Sequence, residues 1–221
     1  MIQYSPLLKE WFCEYQTAME KPSVSMLQDL SLAKHRFNSS TKPTGRWHLT
    51  YEALVMTGIR VVHERRGTPV AKQAAANLLS ITVKRIVCLG MLADAAHESL
   101  HLLTRFFDKE EADSALVASQ IRRFASIIKI LFIDGKALQC GFTKLAQDNA
   151  RRVFLWYDSG GACHQIGNAQ GISAEDLHDL ISRMCAWVKI SLTVVLHEYP
   201  HFELINCFQV FALSSNGNEE T

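Results

Sequence analysis

The sequence lacks several features that mark particular classes of protein. It has no CxxC pair, and its six cysteines are scattered along the chain without a tight framework. No apolar run reaches the ~18 residues that a membrane span needs, and the N-terminus has no signal-peptide core. Neither a GxGxxG nor a P-loop spacing occurs, so no phosphate-binding loop is predicted. These absences favour an intracellular protein with reduced, buried thiols and no membrane partner.

Positive charge is missing from the end of the chain. The formal net charge is only +1, so the charge of the whole chain predicts no class of partner. Between residues 34 and 72, however, eight Lys or Arg residues stand against two acids, whereas no Lys or Arg follows Lys189. The chain is therefore basic early and acidic at its end, and a contact with an anionic partner is expected in the early part.

Apolar periodicity predicts a mainly α fold, a helical bundle with at most a few short strands. Apolar residues recur at spacings of three and four within 89–103, 117–131 and 177–188. Ser173 is the predicted N-cap of the last of these helices, with Asp176 three residues further on. Each of these helices is amphipathic enough to bury one face.

Strand-like composition is confined to VFLWY (153–157) and FQVFAL (208–213). Glycine, proline and serine clusters mark the breaks between segments. The predicted organisation is an N-terminal helical segment with a basic polar linker (1–45), a helical core (46–157), a Gly-rich loop (158–171), a C-terminal helical part (172–213) and a disordered tail (214–221).

The stretch HESLH matches the zinc-protease pattern His-Glu-x-x-His at His97, Glu98 and His101. Histidines four apart on a helix share a face and can bind one Zn²⁺, and the Glu can act as general base on the bound water. A zinc metalloprotease is therefore an alternative function, with these three residues as its site and zinc as its cofactor.

Two observations weigh against that site. On the helical wheel, Glu98 and His101 join Asp94 in an exposed charged stripe rather than a pocket. The metzincin extension would need a glycine and a histidine where the chain has Thr104 and Phe107, and residues 114–125 contain no acid. We interpret the match as accidental and predict no enzyme activity and no metal.

Two further clusters are weaker candidates for a metal site. HEYPH (197–201) repeats the pattern, but Pro200 biases the preceding residue away from the helical conformation, so its histidines are not expected to share a face. Cys163-His164, with Cys140 and Cys185 elsewhere in the chain, has no metal-ligand spacing.

Several motifs occur in a fixed order over most of the chain, from residue 5 to 213. An Arg-Trp pair follows a polar segment and precedes an apolar helix. A pattern of leucines, acids and aromatics comes next, and an aromatic-Pro pair followed by apolar residues closes the series. The matching residues are Arg46, Trp47, Leu92, Asp94, Leu103, Thr104, Phe107, Asp108, Lys109, Glu110, Asp113, Tyr199, Pro200, Leu204, Ile205, Phe208, Val210 and Phe211.

This order resembles hAT-type transposases, in particular the domesticated hAT-derived proteins of vertebrates. The resemblance implies the helical insertion region of a ribonuclease-H-like core, and a nuclear, DNA-linked ancestry. The family's paired catalytic Asp residues are not recognisable, because only Asp29 precedes Arg46 and it lacks their context. No counterpart of the final catalytic Glu or of the family's zinc finger is found either, so a catalytically incomplete protein is expected.

The resemblance makes Trp47 the residue of interest, because the matching Trp of the family stacks on a DNA base. An indole within a basic stretch can stack a base while neighbouring cations hold phosphates. The predicted nucleic-acid contact is therefore Arg36, Lys42, Arg46 and Trp47. Alternatively, Trp47 anchors a loop to the helical core. Self-association through the helices at 89–103 and 117–131, or a protein partner without nucleic acid, also stays open.

Overall fold

The computed structural model describes residues 5–19, 41–102, 116–198, 202–207 and 210, and within these the side chains of Thr41, Lys42, Leu100, His101, Leu102, Leu196, Phe202 and Ile205 are not described. The elements are the helices α1 (Pro6–Ala18), α2 (Thr41–Leu49), α3 (Tyr51–Glu64), α4 (Pro69–Leu79), α5 (Val83–Leu102), α6 (Val117–Phe132), α7 (Gly141–Ala150), α8 (Ala174–Glu198) and α9 (Phe202–Cys207), the 3₁₀ turn Lys136–Leu138, and the strands β1 (Phe154–Tyr157) and β2 (Cys163–Ile166). The predicted mainly α fold with few short strands is confirmed.

The chain divides into two compact units. Unit 1 contains residues 1–96 and 137–180, and unit 2 contains residues 97–136 and 181–221. The divisions therefore fall inside α5 and α8 and at the 3₁₀ turn, whereas the boundaries predicted from the sequence lie at loops. A helix that runs through two units carries no glycine or proline signal at the division, so composition could not mark it.

Helix α3 is the element of unit 1 that touches the most others, since it packs against α1, α2, α4 and β1. Its buried residues recur at helical spacing, which directs one face into the core. Burying a large apolar side chain contributes about 1.5 to 3 kcal/mol before entropy is counted. The core of unit 1 includes Phe12, Tyr51, Val55, Ile86, Val87 and Trp156.

Side chains fix the starts of several helices. The Thr68 hydroxyl accepts a hydrogen bond from the Ala71 amide at 3.2 Å, and Pro69 occupies the first turn of α4. The Ser173 hydroxyl accepts from the Asp176 amide at 3.1 Å and donates to the Asp176 carboxylate at 3.0 Å. The prediction of Ser173 as the N-cap of α8 is therefore confirmed.

Strands β1 and β2 form an antiparallel hairpin in which Phe154 lies opposite Ile166 and Tyr157 lies opposite Cys163. Strand β1 was predicted, but β2 lies inside the segment 158–171, where a Gly-rich loop was predicted, so that prediction is wrong for 163–166. The reason is that β2 is short and mostly polar and is defined by its partner strand. The other predicted strand, 208–213, lies outside the described residues except for Val210.

Helices α5 and α7 approach closely at Gly90. A Cβ atom there would lie 2.5 Å from the Cβ of Ala146 and 2.8 Å from the carbonyl oxygen of Phe142. One turn further along α5, the Asp94 carboxylate accepts hydrogen bonds from the Phe142 and Thr143 amides, both at 2.8 Å. Asp94 therefore caps α7 from another helix.

This cap corrects the helical wheel of α5. Asp94 was predicted to lie in an exposed charged stripe, but it is 7% exposed, whereas Leu92 is 50% exposed. The single apolar face predicted within 89–103 is therefore wrong at Leu92, because apolar residues are spread around α5 and spacing alone did not identify which of them are buried. The buried carboxylate is tolerated because the N-terminal amides of α7 satisfy it.

Unit 2 has its own apolar core, formed by α6 and the C-terminal part of α8. The predicted apolar face of α6 is confirmed at Ile121, Phe124 and Ile128, all of which are buried. From α8, Met184 and Val188 are buried as well. The core therefore follows the period of three and four that the sequence displays.

Candidate nucleic-acid interface

The four residues predicted to contact nucleic acid do not share one described surface. Arg36 lies outside the described residues, and Lys42 lies in the first turn of α2. Arg46 is half-buried in the last turn of α2, where its carbonyl oxygen accepts a hydrogen bond from the Thr50 hydroxyl at 2.8 Å. Only Arg46 and Trp47 are adjacent with described side chains.

Trp47 packs within unit 1. Its ring centroid lies 4.9 Å from that of His48 and 5.1 Å from that of Tyr51, and the side chain is half-buried. It also lines an apolar cavity together with Leu8 and Leu54. These contacts are those of a core-anchoring aromatic residue, the alternative role considered for Trp47.

The acids of the early basic stretch are engaged by arginines. Glu64 accepts a hydrogen bond from Arg60 at 2.7 Å, and Arg60 also donates to Glu14 at 2.7 Å. The hydrogen bonds to Glu64 and Glu14 raise the pKa of Arg60 further above its usual value. The second acid of the stretch, Glu52, pairs with Arg152. Both negative charges of this stretch are therefore offset by a neighbouring cation.

The turn between α3 and α4 carries cations that are not offset in this way. Arg65 and Arg66 are exposed and make no ion pair with any residue that the structure describes. Gly67 follows with a φ of +79°, a conformation that favours glycine, and Lys72 is exposed in the first turns of α4. We call Arg65, Arg66 and Lys72 the basic turn.

The basic turn lies beside the N-terminus of α4. Backbone amides at a helix N-terminus have no partner within the helix and carry a partial positive charge, so they add to the field of nearby arginines. Phosphate groups are stabilised in such a field. The basic stretch was recognised in the sequence, but the predicted contact residues ended at Trp47. The helix α3 of 14 residues, roughly 21 Å long, separates α2 from the basic turn.

HESLH lies in α5, where His97 is exposed. The Glu98 side chain is 15% exposed, and its carboxylate lies 3.7 Å from the Arg123 guanidinium, which gives it an ion-pair partner within unit 2. Among the described residues, no three His, Cys, Asp or Glu side chains are placed to bind a metal ion. In HEYPH, His197 is in the last turn of α8, and His201 lies outside the described residues.

Cys163 and His164 lie on β2 beside the turn that Asp158 organises. The Asp158 carboxylate accepts hydrogen bonds from the amides of Gly160 and Ala162 and lies 2.9 Å from Nε2 of His164. The hydrogen bond with His164 is the main reason that the pKa of Asp158 is lowered. Neighbouring residues on a strand point to opposite faces, so Cys163 and His164 do not face each other.

Two titratable side chains, His48 and Tyr51, are buried in unit 1 without a side-chain hydrogen bond of normal geometry to a described residue. His48 is 1% exposed, and neither ring nitrogen makes a hydrogen bond of normal geometry to a described residue. Burial lowers the pKa of His48 to about 4, opposed to a smaller extent by the backbone of Leu89. Burial likewise raises the pKa of Tyr51. Both groups are therefore neutral at pH 7.

No family model, curated protein or solved structure matches the chain. Within the described part of the chain, no single helix is long and apolar enough to cross a membrane. Helix α4 and the first part of α5, which meet at an 82° bend, satisfy the length and composition only when taken together.

Proposed function

We propose that the protein is a binding protein without catalytic activity that contacts nucleic acid through the basic turn of unit 1. The observation that carries this proposal is that the acids of the basic stretch have ion-pair partners, whereas the arginines of the basic turn have none among the described residues. Glu52 and Glu64 are paired with arginines, whereas Arg65 and Arg66 have no described ion-pair partner. Exposed arginines are suited to phosphate because guanidinium donates two parallel hydrogen bonds.

The proposed ancestry is a catalytically incomplete relative of hAT transposases, supported by the order of sequence motifs. Asp94, one of the acids in that order, accepts hydrogen bonds from the start of α7 and so has a structural role. On the same basis we place the protein in the nucleus. The distribution of a fluorescently tagged chain between nucleus and cytoplasm checks that localisation.

The proposal is tested by fluorescence anisotropy with labelled duplex and single-stranded DNA between about 50 and 200 mM salt. Wild type is expected to bind, with an affinity that falls steeply as salt rises. Arg65→Gln/Arg66→Gln removes two phosphate contacts, so the slope of log affinity against log salt is expected to fall by about two. At low salt the affinity is expected to drop about tenfold or more.

A matched control removes two positive charges elsewhere. Lys129 on α6 and Lys189 on α8 are exposed residues of unit 2, and Lys129→Gln/Lys189→Gln changes the net charge by the same amount. This variant is expected to keep the wild-type slope. An equal effect of both double variants would mean that only total charge matters, and no binding at low salt would refute the proposal.

A second candidate function is self-association through an exposed face of α6. Ile130 is 44% exposed, and Ile133, three residues further on, is 49% exposed. Residues three apart on a helix are neighbours, so the two form one apolar surface. Sedimentation velocity is expected to detect dimers that Ile130→Glu dissociates, while Ala76→Glu, an exposed substitution on α4 of unit 1, leaves them intact. A monomeric wild type would exclude this function.

A further inference from the structure

Unit 1 contains an apolar cavity of about 200 Å³ between α1, α2, α3 and α4. The cavity opens to solvent on the side of Asn77, an exposed residue of its lining, so a small molecule can enter it. An apolar cavity of about 150 Å³ in another protein is large enough to bind benzene. The residues that matter for the argument are Leu8, Trp47, Gly58, Ala74, Asn77 and Leu78, all of which line the space.

Small residues on facing helices create the cavity. Gly58 on α3 has no side chain, and a Cβ atom there would lie 3.0 Å from Cδ2 of Leu78 on α4. Ala74, also on α4, is 5% exposed and contributes only a methyl group. The two helices therefore meet at small residues, and no large side chain fills the space beside them.

One polar side chain in the lining has unused donors. Asn77 is exposed, and its side-chain oxygen Oδ1 accepts a hydrogen bond from the side-chain amide Nε2 of Gln73 at 3.0 Å. Its own NH₂ group donates to no residue that the structure describes. Thr57, another polar side chain in the lining, already donates to the Ala53 carbonyl at 2.7 Å, and Trp47 carries an indole N–H donor. The Asn77 NH₂ group is therefore a donor that can orient a bound oxygen atom from the α4 side.

We propose that this cavity binds a small molecule with one aromatic ring and one hydrogen-bond-accepting oxygen. The volume is below the ~300 Å³ at which pockets for drug-sized ligands begin, so a single ring is the appropriate size. The indole of Trp47 offers an aromatic surface against which a ring can pack edge to face or offset. The Asn77 NH₂ group donates to the ligand oxygen. This site is separate in residues and in chemistry from the basic turn.

A small molecule accounts for the lining better than the side chain of a protein partner does. A peptide brings several backbone donors and acceptors, which need polar partners around the pocket. Among the described residues, the polar groups of the lining are confined to the Asn77 amide, the Trp47 indole N–H and the Thr57 hydroxyl, which is already engaged. A ligand with one oxygen atom, which has two lone pairs, matches so few donors.

The test uses the full chain and two probes, toluene and benzyl alcohol, which differ by one hydroxyl group. Binding is followed by saturable NMR shift changes in Leu78 and Val55 methyl groups, which line the cavity. Both probes are expected to bind, benzyl alcohol at least threefold more tightly. Asn77→Ala is expected to abolish that difference while toluene affinity stays the same. Absence of saturable binding of either probe to wild type would overturn the proposal.

Two filling variants and a control locate the site. Ala74→Leu places three more carbon atoms in the space and is expected to weaken both probes at least tenfold. Ala76→Leu adds the same atoms at an exposed position of α4 and is expected to leave binding unchanged. Gly58→Ala also narrows the cavity, and because alanine favours the helical conformation more than glycine does, this variant is expected to fold. It therefore tests the location even if Ala74→Leu does not fold.

Unchanged affinity in folded Ala74→Leu and Gly58→Ala would overturn the location. If N-acetylphenylalanine amide binds more than tenfold more tightly than benzyl alcohol, the cavity receives a side chain of a protein partner, and the small-molecule proposal is wrong. If toluene and benzyl alcohol bind equally, the role assigned to Asn77 is wrong. DNA titration of the same variants is expected to match wild type, which keeps the two sites distinguishable.

Discussion

The Asp94 carboxylate accepts two hydrogen bonds from Thr143, one from its backbone amide at 2.8 Å and one from its hydroxyl at 2.7 Å. The other carboxylate oxygen accepts from the Phe142 amide at 2.8 Å. Gly141, with a φ of +76°, brings α7 close to this carboxylate, because a Cβ atom there would lie 2.7 Å from Asp94 Oδ1. Two helices of unit 1 are thus joined through one buried side chain.

Asp94→Ala is expected to destabilise the protein by about 2 to 3 kcal/mol. The variant removes an N-cap, worth about 1 kcal/mol, and leaves buried donors without an acceptor. Asp94→Asn keeps one acceptor oxygen and is expected to lose less stability than Asp94→Ala. Urea unfolding measures both. Asp134→Ala, at an exposed position, is the control and is expected to change stability by less than about 0.5 kcal/mol. Equal losses at 94 and 134 would contradict the capping role.

Gly90→Ala and Gly58→Ala are expected to differ although both substitutions favour helix. At Gly90 the added Cβ would meet the Phe142 carbonyl oxygen at 2.8 Å, and backbone cannot move aside cheaply. At Gly58 it would meet the end of the Leu78 side chain at 3.0 Å, which can rotate. Thermal unfolding is expected to show a loss of about 2 kcal/mol for Gly90→Ala. Gly58→Ala is expected to be neutral or stabilised by up to about 1 kcal/mol.

His48 is expected to make stability fall between pH 6.5 and pH 4. Its pKa is about 4 in the folded state against 6.5 in the unfolded state, so only the unfolded chain binds the proton in this window. Protonation therefore favours unfolding as pH falls, by roughly 3 kcal/mol once both pKa values are passed. Urea unfolding at a series of pH values measures this loss.

Variants at two histidines separate the contribution of His48 to the pH dependence of stability from the contribution of the acidic side chains. His48→Phe fills similar space without a titratable group and is expected to remove roughly 3 kcal/mol of the pH dependence. His178→Gln, at an exposed histidine, is measured beside it as the control for removal of a histidine. An identical pH profile for His48→Phe and wild type would mean that the folded protein binds the proton at His48.

Trp47→Ala separates the two roles considered for Trp47. Loss of its contacts with His48 and Tyr51 is expected to cost about 2 kcal/mol, less than a fully buried Trp would. If the basic turn carries the nucleic-acid contact, the folded variant binds DNA within about twofold of wild type. Base stacking is worth about 1 to 3 kcal/mol per base, so a larger loss in the folded variant would restore the stacking role.

Local features of the fold could be predicted from the sequence, and contacts between distant residues could not. The faces of α6, the cap at Ser173 and the existence of β1 follow from residues within one or two turns. The cap at Asp94 joins residues 48 positions apart. The side-chain amide of Asn149 donates a hydrogen bond to the backbone carbonyl of His48, 101 positions earlier in the sequence. No pattern within a short window identifies such partners.

The same limit applies to the candidate site. The sequence identifies a basic stretch, but which cations are free depends on tertiary pairs. Arg60 is engaged by Glu14, 46 residues earlier, and Glu52 is engaged by Arg152, 100 residues later. Arg65 and Arg66 stand out only once those pairs are known. The cavity beside Trp47 depends likewise on how α3 and α4 meet at Gly58.

Metal content is the measurement that decides the alternative based on HESLH. The Glu98 carboxylate lies 3.7 Å from Arg123, and an Arg partner opposes its use as a base on zinc-bound water. We expect mass spectrometry of protein purified without added metal to find far less than one zinc per chain. The double variant His97→Ala/His101→Ala is expected to give the same result and to remain folded.

The opposite outcome would change the functional class. Zinc near one atom per chain in wild type, lost in the double variant, would make His97 and His101 metal ligands and direct attention to peptide hydrolysis. Glu98→Gln then distinguishes the two roles of Glu98. If Glu98 is the general base, the variant loses peptide hydrolysis while zinc stays bound. If Glu98 is only the ion-pair partner of Arg123, the variant lowers the free energy of unfolding and leaves the metal content unchanged. Because the Arg123 side chain is 41% exposed and solvent screens the ion pair, its loss is expected to cost about 1 kcal/mol or less.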